Sequence, residues 1–474
     1  MRVDLFGVGV KGTSAAITAQ SRVNCYGEMQ RDPDRTKMAL VGTPGKTLFS
    51  TVGSFPSRGI WAVNTLVTPR MFSVHAGTLY GINNAGGPTA IGSLNTTSGD
   101  VSMSDNGRYL VLVDGTNGYY WDMVMGGSLT TITDGNFTTS PKTITWQDTY
   151  WIVTSGASNQ FQLSDGDDPA TWPAVNINFT GAAPGALQAG ISDHSVLNLF
   201  GDLYAEFWQN AGTADFPFAA IPGSSSEWGL AAPWSLCKFD NSLAGLFRNK
   251  MGEVNISRMT GFRLEPLSTF DIDVIINGYQ TPGDCEGFGY MVNGHPFAQF
   301  NFQGAGKSWI YDSSQKEWGE LRDEDGGRDW GQKFCNFLDQ RICTDYRNGN
   351  IYKIDTASYS NNGETLPMEV TSKHIWNDDK YIGIRQIQID VQSGVGIPGG
   401  QGMNPQMMLL ISKDGGNTFV ETAWSSIGQV GQYTQRAIWR TLGAARDWVL
   451  RLRITDPVKR VITGASAEIE AAGF

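Results

Sequence analysis

The stretch FNFQGAGKSWIYD (residues 300–312) admits two readings, and the fold turns on the choice between them. Gly306-Lys307-Ser308 is the ending of a phosphate-binding loop, in which a lysine and a hydroxyl meet phosphate and magnesium. That loop needs a glycine five positions before Gly306, where this chain has Asn301. It also needs a helix directly afterwards, whose first amides bind phosphate. Instead the chain continues as SWIYD, which alternates as a strand does. The segment therefore reads as a hairpin: two strands joined by a GAGK turn that contains Lys307.

The same hairpin recurs. A strand, a tight turn, a second strand with an aromatic and then a loop begin at Met71, Gly107, Asp148, His194, Asn241, His295 and Gln340. Successive starts lie 36, 41, 46, 47, 54 and 45 residues apart, which suits the four-stranded blade of a β-propeller. One small sheet cannot hide both of its faces, whereas a ring of them stacks face to face. Each motif supplies the middle hairpin of a blade, and six or seven blades fit between Ala62 and Ser360. A large sandwich is the alternative that the dissimilarity of the units leaves open.

Composition agrees with an all-β protein. The 474 residues exceed what one core usually serves, and include 58 Gly and 11% aromatic but only 17% charged residues. Many aromatics, much glycine and few charges favour turn-rich sheets over helices. The net charge of −11 argues against a general nucleic-acid binder, which needs a basic surface to displace counterions. Cys25, Cys237, Cys285, Cys335 and Cys343 are scattered, lack a CxxC pair and read as buried reduced thiols. MRVDLFGVGVKG has no apolar core of a signal peptide, and no run approaches the roughly 18 apolar residues of a membrane span. A soluble protein made in a reducing cytoplasm is expected.

The chain divides into three regions: residues 1–61, an N-terminal arm with the first strands; 62–360, the propeller-like unit; and 361–474, an antiparallel β unit after the polar break SYSNNGETLP. The last carries longer strands and reads as a sandwich, with a closing blade as the alternative. Arg436, Arg440, Arg446, Arg451, Arg453 and Arg460 crowd it. Alternation in LRLRIT sets Arg451 and Arg453 on one face and Leu450, Leu452 and Ile454 on the other. A solvated face or a surface for an acidic partner would account for these arginines.

No constellation points to chemistry. ISKDGGNTF matches the Asp-box turn of sialidase-like propellers through Ser412, Asp414, Gly416, Thr418 and Phe419, but that turn is structural: Ser and Asp cap a hairpin through backbone amides. LSDGDDPATW is a looser relative. His75, His194, His295 and His374 stand alone, without a second ligand at metal spacing. No serine sits in a G-x-S-x-G elbow, and RDEDGGRDW reads as a charged loop. Catalytic, cofactor-binding and metal-binding residues are each expected to be none.

The N-terminal segment carries a more specific signal. Arg22-x-Asn24-x-Tyr26-x-Glu28, then Thr43-Pro44-Gly45, resembles the opening of the packaged-DNA stabilisation proteins of short-tailed bacteriophages, the tail hub or nozzle family. VTSGASNQFQLSDGDDPATW, HSVLNLFGDLYAEFWQNAG and the C-terminal Trp439-Arg440-Thr441-Leu442-Gly443 resemble later segments of that family in order. The glycine-rich stretch around Pro398 and Gly402 and the DEDGG loop depart from it, which puts partner contacts in doubt.

The resemblance implies a virion protein without catalysis, assembled in the bacterial host cytoplasm. Six copies would form a ring below the portal and its adaptor, continue the DNA channel, help retain the genome and receive tail fibres or tailspikes and a central needle or plug. DNA would pass without sequence-specific binding, since an acidic channel repels phosphate. A carbohydrate-binding or glycosidase-like propeller and a host scaffold for protein partners are the readings from other classes.

Overall fold

The computed structural model describes residues 10–471 apart from 11, 13, 33, 34, 183, 214 and 379. Of the stretch read for a leader, MRVDLFGVGVKG, residues 1–9 and 11 lie outside them. Among the described residues seven sheets succeed one another along the chain, with inner strands Ser57–Val63, Ser102–Asp105, Pro141–Gln147, Leu187–Asp193, Cys237–Phe239, Cys285–Val292 and Gly331–Phe337. They are the blades of a propeller. The recurring motifs are their middle hairpins; that of residues 300–312 joins His295–Phe302 to Lys307–Asp312. Lys307 is thus the first residue of a strand, just past the turn in which sequence placed it, and its ammonium lies 2.8 Å from Glu320.

A local device repeats with the blades. The first and second strands of blades three, four, five and seven are joined by two-residue turns with both φ positive: Asp148-Thr149, His194-Ser195, Asp240-Asn241 and Leu338-Asp339, with Asn293-Gly294 equivalent in blade six. Such turns match the right-handed twist of the paired strands.

Packing explains why the second strands are buried at nearly every position instead of at alternate ones. In Tyr109–Val113, Leu110 and Leu112 face blade one, packing with Phe72 and Leu79, while Val111 and Val113 face blade three beside Ile144 and Trp151. In Val196–Gly201, Leu197 and Leu199 point back to Phe161, and Phe200 points forward to Phe247. In Gln340–Asp345, Ile342 meets Met71 of blade one and Cys343 lies with Trp330 and Tyr352. Each sheet buries one face on each neighbour. At the hub, hydroxyls sew inner strands together: Ile144 N donates to Ser102 Oγ (3.1 Å), Gly190 N to Thr143 Oγ1 (2.8 Å) and Ser192 N to Thr145 Oγ1 (3.2 Å).

The ring closes with a strand from the other end of the chain. β4 (Gly45–Thr51), which falls in the expected N-terminal region, is the outer strand of blade seven, antiparallel to Asn350–Asp355. The chain then enters the inner strand of blade one. Gly45 is required at this seam, because a Cβ there would stand 2.2 Å from the Ser360 carbonyl oxygen. Beside it Lys46 Nζ meets Asp329 Oδ2 at 2.5 Å, both groups buried. Asp329 also accepts from Gln299 Nε2 (3.0 Å), and its amide donates to Ser308 Oγ (3.1 Å). RDEDGGRDW is therefore a charged loop only in its first half; Arg328, Asp329 and Trp330 are buried.

Beyond the propeller, two sheets enclose a separate core. One runs Met368–Thr371, Asp447–Ile454, Gln406–Ser412 and Val420–Ser426; the other runs β2 (Cys25–Asp32), β3 (Arg35–Gly42), Val461–Ala471, Ile382–Val391 and Ala437–Ala445. Ile387, Leu409, Trp439, Trp448, Leu450 and Leu452 fill the space between. This is a sandwich, to which the N-terminal hairpin contributes two strands. Trp439 spans the gap, donating from Nε1 to the Ala423 carbonyl of the facing sheet (2.5 Å).

The packing and the seam each yield a stability prediction. Trp439→Ala should cost about 3–5 kcal/mol in denaturant unfolding, by loss of buried surface and an unfilled cavity. Asp329→Ala, which strands a buried ammonium, should cost about 3–5 kcal/mol, whereas Lys46→Met combined with Asp329→Leu should regain most of that. Equal destabilisation by the single and double changes would contradict a pairing role.

Candidate functional site

Two places among the described residues bring together polar groups that lie far apart in sequence. The first is on the propeller axis. Lys333, on the inner strand of blade seven, reaches Asp100 at the entrance to blade two (2.5 Å) and Glu286 on the inner strand of blade six (3.2 Å), and lies 5.1 Å from the ring centre of Trp234, in blade five. Groups from blades two, five, six and seven can meet only near the centre of a ring. Gln332 and Gln303 both donate to Glu286 Oε1, at 2.8 and 2.7 Å. Burial works against the Lys333 charge, but Glu286 and Asp100 outweigh it and hold its pKa above the usual value. Burial raises that of Glu286 despite the ammonium. The cluster is a polar knot near the axis, at the end where the inner strands begin.

The second place is the seam between propeller and sandwich. β1 (Ser21–Val23) lies parallel to Glu317–Leu321, the outer strand of blade six, and antiparallel to Met368–Thr371 of the sandwich. One continuous sheet thus crosses from one unit to the other. Asn24, buried with φ of 52°, pins it. Its Nδ2 donates to the carbonyls of Arg322 (2.8 Å) and Pro367 (2.7 Å), and its Oδ1 accepts from Arg322 N (3.0 Å). Its carbonyl takes the Thr43 amide (2.9 Å). Arg22 pairs with Glu317, and Tyr26 packs against His295 and Phe297. The Arg-x-Asn-x-Tyr signature is thus the stitching of the two units.

The arginines of the C-terminal unit divide. Arg451 and Arg453 stand on the open face of the bridging sheet as alternation predicts, over buried Leu450, Leu452 and Ile454. Arg453 Nε meets Glu369 (2.6 Å), and Arg451 lies over Phe419 (3.8 Å) with Nε donating to Thr371. Arg322 joins them, paired with Glu320, and a cleft of about 540 Å³ opens alongside. Arg460 is corrected: it is neither solvated nor on a partner surface but 1% exposed, donating to the carbonyls of Leu366 and Thr43. Its burial lowers its pKa to about 10.

The Asp-box turn has the capping geometry read from sequence. Gly416 N donates to Ser412 Oγ (2.8 Å), and Thr418 N and Oγ1 donate to Asp414 (2.9 and 2.6 Å). It lies in the sandwich, away from the propeller axis where a sialidase-like site would sit. The cysteines are free; four are buried and Cys335 is half-buried. His295 is buried against Asp312 and Ser314, and His75 against Ser73 and the Phe55 carbonyl. Among the described residues no group of three or more His, Cys, Asp or Glu is placed to hold a metal. The axial knot gave no signal in sequence, since Asp100, Glu286 and Lys333 are far apart and individually ordinary.

Comparison with known proteins identifies the architecture. A family model described as "Bacteriophage P22 Gp10, beta-propeller" matches residues 2–359, and a second, "Bacteriophage P22 Gp10, beta-sandwich", matches residues 367–470. No curated protein matches the chain. Among solved structures, a virginiamycin B lyase from Staphylococcus aureus is 12% identical, with 63% of this chain and 94% of that one covered and a TM-score of 0.41. The N-terminal domain of Nup159 is 11% identical, with 70% and 97% covered and a TM-score of 0.42. The WD40 propeller domain of Doa1 is 10% identical, with 66% and 98% covered and a TM-score of 0.39. At these scores the structural likenesses carry no functional argument.

The Asp-box turn yields a pH prediction. Hydrogen bonds from the Ser412 and Thr418 side chains, then from the Thr418 and Asn417 amides, hold the Asp414 carboxyl at about 2. A carboxyl depressed in the folded state stabilises above its unfolded value of about 3.9, and that contribution fades as pH falls through the folded one. Asp414→Asn should therefore lower the urea midpoint at neutral pH, with the gap from the parent closing towards pH of about 2. A gap unchanged across that range would refute the capping role.

Proposed function

The chain belongs to the bacteriophage P22 Gp10 family and is a structural protein of the phage tail and virion; we propose that six copies form the tail nozzle, a ring beneath the portal and its adaptor. The ring extends the DNA channel, helps retain packaged DNA, and docks tail fibres or tailspikes and a needle or plug. Its assembly takes place in the host cytoplasm, and no catalytic step is part of the role.

The observation that carries this reading is the axial knot. Lys333, Asp100 and Glu286 meet across the axis, so in this reading a duplex does not thread the propeller. A DNA path must then be enclosed between copies, which calls for a closed ring built from head-to-tail contacts. The bridging sheet suits that task, because β1 carries one sheet from the propeller into the sandwich. Charge supports it too. Residues 367–474 hold 11 basic and 10 acidic residues, so the whole deficit behind the net −11 lies in residues 1–366. A propeller flank turned to the channel would repel phosphate and let DNA slide.

Electron micrographs of the purified protein, alone and mixed with portal and adaptor, should show six-fold rings in the mixture with an opening between subunits. A protein that stays monomeric with both partners, or density threading the propeller axis itself, would overturn the proposal.

A further inference from the structure

Residues 14–20 cross the same seam, and His374 fastens them. Ala15 offers its carbonyl oxygen to His374 Nε2 at 2.7 Å, while His374 Nδ1 stands 2.8 Å from both carboxylate oxygens of Asp447. The ring is largely enclosed, its side chain 13% exposed. The segment is anchored either side of this contact. Val10 is buried against Ile272 and Ile276 of the Phe270–Asn277 helix of the propeller. Ala19 is buried over the Asp-box turn, where a Cβ on Gly416 would fall 2.7 Å from it.

Both partners of the imidazole are acceptors only. A carbonyl and an ionised carboxylate have no proton to give, and a neutral imidazole carries one N–H. If that hydrogen serves Asp447, the Nε2 lone pair faces the Ala15 oxygen; if it serves Ala15, the Nδ1 lone pair faces a carboxylate. Either is repulsive in an enclosed site. We propose that His374 is held as the imidazolium and acts as a proton-dependent clip, fastening the N-terminal segment to the sandwich and releasing it on deprotonation.

The surrounding charges fit that role. Asp447 supplies the counter-charge, and Asp414, bridged to it through the backbone, adds a second carboxylate from the Asp-box turn. On the cationic side, Lys413 is drawn to the Trp448 ring (5.1 Å) and Arg446 to Tyr381 (5.0 Å), while Lys373 adjoins the histidine in the chain. Residues 14–20, SAAITAQ, contain no charge; Asp271 of the propeller helix lies near Gly12. Of the side-chain types around this contact, imidazole is the one whose ordinary charge change lies closest to neutral pH.

Two readouts on the full-length protein test the clip. With only four histidines in the chain, imidazole proton resonances are separable by NMR, and His374→Gln identifies the one concerned. It should report an imidazolium while the segment is protected. Hydrogen exchange of the Ile17 and Thr18 amides, both bonded to the Ser14 carbonyl, should quicken about tenfold beyond the intrinsic rate change between about pH 5.5 and 8.5. The same amides should exchange fast at both pH values in His374→Gln, and slowly at both in His374→Arg, whose charge is permanent. A neutral-imidazole signal in the parent with the segment protected, or the same pH dependence persisting in His374→Gln, would overturn the proposal.

Discussion

A four-stranded sheet that is apolar on both faces cannot rest in water until something covers each face, and everything else in this protein derives from that constraint. Seven such sheets satisfy one another by standing in a circle. Leu110 and Val111 sit next to each other in sequence yet belong to the cores of different blade pairs. A linear stack would leave two faces bare at its ends. A circle leaves none, provided that its first and last members meet, and here that meeting is made by β4 and the buried Lys46–Asp329 pair. A buried ion pair is an uncertain source of stability, but removing one partner alone leaves the other charge buried and uncompensated. Its position at the covalently open joint of the ring is where register most needs to be set.

The sandwich meets the same constraint by another route. Its two sheets cover each other, and the N-terminal chain is spent on joining it to the propeller. β1 continues a sheet from blade six into the sandwich, β2 and β3 extend the opposite sheet, and Asn24 and Arg460 fill the corner with hydrogen bonds to carbonyls of Arg322, Pro367, Leu366 and Thr43. Two units that share a sheet move together, in contrast to domains that touch through a wet, polar interface. For a structural part of a phage tail, a stiff joint is worth more than an extended contact area.

What the sequence made legible was periodic. The motifs at Met71 through Gln340 fell on the middle hairpins of the blades because strand, turn and strand are local, and the β-character of the C-terminal unit was plain from its alternating runs. The 300–312 stretch was placed correctly by the missing glycine and helix, although Lys307 proved to be ion-paired past the turn. The seams were not legible. Asp329 looks like one more charge in RDEDGGRDW, and nothing near it announces Lys46 at the far end of the chain. Arg460 reads like its neighbours until the fold encloses it. The axial knot depends on three residues whose proximity exists only after the ring has closed. Short, long-range polar contacts leave no period in sequence, and the Arg-x-Asn-x-Tyr segment was visible as a family signature before its stitching role could be.

The ring's closing strand has a consequence for how the molecule comes into being. β4 leaves the ribosome among the first fifty or so residues, but its partner Asn350–Asp355 emerges only after six blades have been translated. Throughout that interval the nascent chain carries an unsatisfied strand at one end and a growing stack with an open apolar face at the other, an arrangement prone to pairing with a neighbouring polysome product. A chain interrupted before blade seven thus lacks the partner of β4 and keeps an apolar blade face uncovered.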